Sequence, residues 1–152
     1  MWHLRGTLRD AIVMRILIPI DQSKDSLAAV NFVASRRALV GTDPDVRLIH
    51  AQRQVPRDIW VVVGHGKLRK IQDQTAERAF KPALRTLAEA GLVIQTISAI
   101  GVPGEEIARA ASKYRVDLIV MAARGLTEAK GLFLGSVTGS VLAHSKVPLL
   151  IL

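Results

Sequence analysis

The sequence contains no cysteine, which excludes disulfides, thiolate zinc sites and a cysteine nucleophile together. A reducing, cytoplasmic setting is the natural fit. Aromatic residues make up only 4% of the chain, so the core has to be built from Val, Ile, Leu and Ala. No apolar run approaches the roughly 20 residues that a membrane-spanning helix requires, and we expect a soluble protein with no membrane partner. The opening MWHLRGTLRDAIV has neither the long apolar stretch nor the small-residue cleavage site of a secretory signal. It reads as an extension over residues 1–13, ahead of a domain spanning 14–152. The phosphate-binding pattern G-x4-G-K-[ST] does not occur, and GVPGEE lacks the spacing of a dinucleotide fingerprint. His3, His50, His65 and His144 lie on four separate segments, and no pair has metal-ligand spacing on one helix, so no structural metal is expected.

What is present is a chain of 152 residues, 49% hydrophobic and 22% charged, the size and balance of one folded domain. The net charge is +8, from 21 Lys and Arg against 13 Asp and Glu. Such a surplus suits an anionic ligand, a nucleic acid or an anionic surface. The charges are scattered, densest at Lys67, Arg69 and Lys70, and few aromatics accompany them for base stacking. They read as a solvated basic surface, not as a nucleic-acid platform.

Apolar runs of strand length recur at RILIPI (15–20), VRLIHA (46–51), LVIQTISAI (92–100), VDLIVM (116–121) and VPLLIL (147–152). Most are nearly continuous, as strands buried on both faces of a parallel sheet are. Between them the period is helical: Leu27, Val30, Ala34 and Ala38; then Leu68, Ile71, Thr75, Ala79, Ala83 and Leu87; then Ile107, Ala110, Ala111 and Tyr114. The third stripe has Pro103, Glu105 and Glu106 at its start and Lys113 and Arg115 at its end, in the order that suits a helix dipole. Pro82 should kink or split the second helix. Trp60 to Val63 is open between a short strand, a hydrophobic lid and a partner contact. The alternation predicts an open, doubly wound α/β sheet of five parallel strands flanked by helices. Ligands of such sheets sit beyond the carboxyl ends of the strands, which brings Asp21 to Ser23, Ala51 to Gln54 and Ala122 to Gly125 to one edge.

After the fourth run comes AARGLTEAKGLFLGS, residues 122–136, a glycine-spaced segment leading into a short helix. Glycine lets a backbone approach an anion closely, and a helix's first turn offers unpaired N–H donors. Ser136 is both a candidate phosphate ligand and a good helix N-cap, and the residues alone leave both readings open.

In this arrangement the chain resembles the universal stress protein family from about Met14 onward. The family's nucleotide-binding members carry G-x2-G-x9-G-[ST] after the fourth strand; here Ala122, Gly125, Gly135 and Ser136 keep that spacing, with alanine in place of the first glycine. ILIPIDQS, LIHA, VDLIVMAARG and GSVTGSVLAHSKVPLLIL are similar to the family's other segments, in the same order. The resemblance implies the adenine-nucleotide-binding fold of that family and ATP as cofactor, with Mg²⁺ or Mn²⁺ held through the phosphates and Asp21 the nearest carboxylate. It implies adenine against the main chain at Ala51, Pro19 and Asp21 beside base and ribose, and Met121 and Ala122 at the strand end near the ribose. It further implies phosphates on the backbone of Gly125, Gly135, Ser136 and Val137 and on the hydroxyls of Ser136 and Thr138. Arg124 and Lys130 flank the glycine positions, and the residues leave open whether they neutralise phosphate charge or face solvent. Alanine at 122 is acceptable if that position is ordinary strand backbone and strained if it requires positive φ. The resemblance also implies a homodimer formed through the last strand, 147–152, whose uncharged apolar edge invites pairing. No nucleophile, base and orienting group form a set, so any ATP hydrolysis should be slow. The expected role is a stress-response regulator; the alternative is a nucleotide-free dimeric interaction protein of the same family.

Overall fold

The computed structural model describes residues 13–41, 43–123 and 134–152. In chain order the elements are β1 (Arg15–Pro19), α1 (Ser26–Ser35), α2 (Arg37–Val40), β2 (Asp45–Gln52), α3 (Arg57–Val63), α4 (His65–Glu89), β3 (Ile94–Ile100), α5 (Pro103–Lys113), β4 (Leu118–Met121), α6 (Ser136–His144) and β5 (Leu149–Ile151). The strands form one parallel sheet in the order β3-β2-β1-β4-β5. The winding therefore reverses between β1 and β4.

Alternation along each strand divides the core into two layers. Ile16, Ile18, Val46, Leu48 and Val120 meet Ala29, Val30 and Val33 of α1 and Ala79, Ala83 and Leu87 of α4. Leu17, Ile49, Ile119 and Met121 point the other way, to Ile107, Ala110 and Ala111 of α5 and Val141 of α6. Both faces are covered, which is why β1 and β4 read as unbroken apolar runs. β3 lies at the sheet edge, and its Gln95, Thr96 and Ser98 are exposed.

The helices differ from their sequence stripes in instructive ways. α1 stops at Ser35, and Ala38 belongs to the separate short helix α2. In α4, Ile71 is 46% exposed, and Gln72 and Ala76 take the buried positions. Pro82 does not split α4, which runs unbroken through it. The carbonyl that proline leaves without a donor belongs to Arg78, and both residues lie on the exposed side, where water can bond it. Helix α4 ends where Leu92 N–H reaches back to Leu87 O at 3.1 Å and Gly91 adopts φ 72°, a left-handed stop natural to glycine. Helix α5 ends in the same way through Val116 N–H to Ala111 O at 2.9 Å, but the left-handed position is filled by Arg115, φ 50°. The segment from Trp60 to Val63 is helical, within α3, and leaves Val61 and Val62 85% and 86% exposed.

Candidate functional site

Strand β2 outruns β1. The last β1–β2 pair is Pro19 with Ile49, whereas β2 stays paired with β3 as far as Gln52. In a parallel ladder, alternate residues turn both their N–H and C=O to the same side. Ile20 N–H donates to Ile49 O at 2.9 Å, and Gly101 N–H to Gln52 O at 2.8 Å. Ile49 thus addresses β1 and Gln52 addresses β3. By the same alternation Ala51 turns its donor and acceptor to the β1 side, where the chain has left the sheet for the turn at Asp21. The result is a backbone edge facing a cleft.

The Asp21 turn is internally fixed. Ser23 N–H donates to Asp21 Oδ1 at 2.9 Å, and the Ser23 hydroxyl bonds the same oxygen. Ser26 N–H donates to Ser23 Oγ at 3.1 Å, and Ser26 Oγ donates to Asp21 O at 3.1 Å. Asp21 therefore shapes the approach to α1 while standing on the cleft wall.

Across the switch point, α6 begins with no side-chain cap among the described residues. Its N-cap residue is Gly135, so Ser136 is the first helical residue and not the cap its type allowed. The first-turn amides from Ser136 onward have no acceptor within the helix, and the dipole favours an anion there. Gly135 N–H is occupied, donating to Ala123 O at 2.7 Å. Thr138 is 2% exposed, and its hydroxyl donates to Ala122 O at 3.0 Å, tying α6 to the end of β4. Among the described residues, Arg115 is the one non-glycine with positive φ. Ala122 therefore stands in backbone that any residue adopts, and the alanine introduces no strain.

These parts enclose one open cleft of about 360 Å³, within the range of small-ligand sites. Pro19, Asp21, Ala51, Met121, Ala122, Gly135, Ser136, Val137 and Thr138 all line it. Arg124, Gly125 and Lys130 lie outside the described residues. Gln52 and Arg53, expected at this edge with Ala51, line the cleft too, and so do Ile20, Ser26, His50, Pro103 and Ile107, which sequence did not bring to the site. The signal for His50 was its place near the carboxyl end of a predicted strand. Arg53 is the one fixed cation among the described lining residues. Among the described residues no three His, Cys, Asp or Glu side chains converge as a metal site. The ion pair Arg15–Asp117, 3.0 Å, sits at the amino ends of β1 and β4, opposite the cleft. There the Arg15 guanidinium and backbone N–H hold the Asp117 carboxyl below its usual range.

The model of the universal stress protein family matches residues 13–152. The chain belongs to this family. It is 29% identical to universal stress protein MJ0577 of Methanocaldococcus jannaschii, over 90% of this chain and 93% of that one. It is 30% identical to MJ0531 of the same organism, over 90% and 80%. The solved structure of MJ0577 superposes with a TM-score of 0.79, covering 91% of this chain and 94% of that one. The same fold occurs in a universal stress protein from Archaeoglobus fulgidus solved with dAMP, TM-score 0.66 at 18% identity, covering 92% and 98%. It occurs again in a family member from Arabidopsis thaliana with AMP bound, TM-score 0.65 at 14% identity, covering 91% and 90%.

Proposed function

We propose that the cleft binds ATP or a related adenine nucleotide and that the protein works as a nucleotide-responsive regulator in stress, not as a fast catalyst. The observation that carries this reading is the pairing of the outward-turned Ala51 backbone edge with the uncapped start of α6 in one cleft. A donor next to an acceptor matches the edge of adenine, which offers N1 as acceptor and its amino group as donor; guanine presents the reverse. Free helix amides suit phosphate. The dAMP and AMP bound by the two family members lend support. Asp21 stands beside the ribose, and Mg²⁺ or Mn²⁺ would be held by phosphate oxygens and water, with Asp21 the one carboxylate among the described lining residues. Residues 14–152 act as the binding domain in this reading.

We further propose a homodimer through β5. This strand ends the sheet and carries Leu149, Leu150 and Ile151, all half-buried, so a second copy would cover apolar surface that a single chain leaves in water.

The test is calorimetric titration of Mg²⁺-ATP and Mg²⁺-GTP into nucleotide-free protein, with Gly135→Val as the blocked-site control. Saturable ATP binding, weaker for GTP and lost in Gly135→Val, is the expected result. Absence of ATP binding in the wild-type protein would overturn the reading and leave a surface-acting member of the family.

A further inference from the structure

His50 is 7% exposed, lines the cleft and places Nδ1 2.9 Å from Ile20 O. A carbonyl oxygen only accepts, so Nδ1 carries a proton, and Nε2 is an acceptor when the ring bears only that one. Nε2 is sealed from solvent and has no partner among the described residues, while the ring packs edge-on against Phe80 of α4 at 6.3 Å. Burying an unpaired acceptor is unfavourable, and a leucine would fill such a position without that penalty. Histidine is therefore disfavoured here on packing grounds, and the Nδ1–H bond is what it contributes.

That bond has a particular address. Ile20 already donates its N–H to Ile49 O, so the residue is held to β2 at both its amide and its carbonyl. Ile20 is followed directly by Asp21. The next side chain on the same face of β2, Gln52, donates Nε2 to Gln72 O of α4 at 2.8 Å. Between these two anchors lies Ala51, whose backbone edge faces the cleft.

We propose that His50 is a positioning residue of the nucleotide site, a latch that fixes the Asp21 turn relative to the Ala51 edge. This rests on the reading of the cleft as an adenine-nucleotide site. The latch sets the spacing between the wall that meets the ribose and the edge that meets the base. Its loss lets the turn drift without unfolding the sheet.

The experiment compares His50→Asn with His50→Leu in the full chain. Asn places Nδ2 where the ring has Nδ1, keeping the donor but losing contact with Phe80. Leu keeps the packing and loses the donor. We expect Asn to melt no higher than Leu and yet to keep Mg²⁺-ATP affinity within about threefold of wild type, while Leu binds about tenfold more weakly, the size of one hydrogen bond. Amide exchange of Ser23 and Ser26 in the ligand-free proteins should quicken in Leu and not in Asn. Affinities that follow the melting temperatures, or equal exchange in both variants, would overturn the latch. If wild-type protein binds no ATP, the nucleotide reading fails, and the exchange measurement still decides whether His50 holds the turn.

Discussion

Gly104 stands at the start of α5 directly against Ser140 of α6. A Cβ on Gly104 would lie 2.2 Å from Ser140 Oγ, 2.3 Å from its Cβ and 3.1 Å from its backbone carbon. The hydroxyl could rotate away, but the Ser140 Cβ cannot move without its helix. Gly104→Ala therefore has to push α6 away from α5. Overpacking of this kind costs about 1–3 kcal/mol. Alanine returns up to about 1 kcal/mol in helix propensity, less in a first turn. The net loss is about 1–2 kcal/mol, or about 3–6 °C in melting temperature for a domain of this size. Ser140→Gly removes the two closest obstacles and leaves the backbone carbon, a contact that a shift of a few tenths of an ångström relieves. It also preserves the Ser140 carbonyl that accepts from His144 Nδ1 at 2.7 Å. A double-mutant cycle by chemical denaturation should then give a favourable coupling of about 1 kcal/mol or more between the two changes. Because the same helix presents the amides at Ser136 and Val137, Gly104→Ala should also weaken ATP binding, and the double variant should recover it. Additive effects within about 0.5 kcal/mol, or a single variant as stable as wild type, would refute the packing argument.

Three further outcomes follow from the backbone and its charges. Ala122→Gly puts glycine at a position that does not use positive φ, so it should lower stability by about 0.5–1 kcal/mol through chain entropy and leave ATP affinity unchanged; a clear gain in affinity by calorimetry would contradict this. Arg115→Gly relieves an exposed left-handed arginine at φ 50° and should raise stability by about 1 kcal/mol, read as a higher denaturation midpoint. The Asp117 carboxyl is held below its usual range, chiefly by the Arg15 side-chain bond. Its contribution is thus present above the unfolded carboxyl's range and is lost as pH falls through the lower folded value. With both side chains more than a third exposed, solvent screens the pair, so Asp117→Asn should cause a small loss near neutrality that vanishes in acid; an equal loss at both pH values would show that charge is not the cause.

The strands and their order along the chain were legible in the sequence because local rules govern them. A strand buried on two faces must be apolar at nearly every position, as in Arg15–Pro19 and Leu118–Met121, and an α/β alternation with right-handed crossovers allows few sheets. The end of α5, with Pro103 first and Lys113 last, was fixed the same way. What tertiary structure alone decided were relations between distant segments. Ile71 is exposed and Gln72 buried because the orientation of α4 is set by contact with β2 and α1, which a periodic stripe marks only to within a residue. Ser136 is the first helical residue, with Gly135 as the cap and its N–H held by Ala123 O, and Thr138 spends its hydroxyl on Ala122 O instead of presenting it freely to a ligand. The role of His50 was invisible in sequence, since a histidine in a strand carries no sign of which carbonyl it will meet. Spacing along the chain determined which residues reach the carboxyl edge of the sheet; β2 extending past β1, and two hydrogen bonds to Ile20, decided which of their atoms face the cleft.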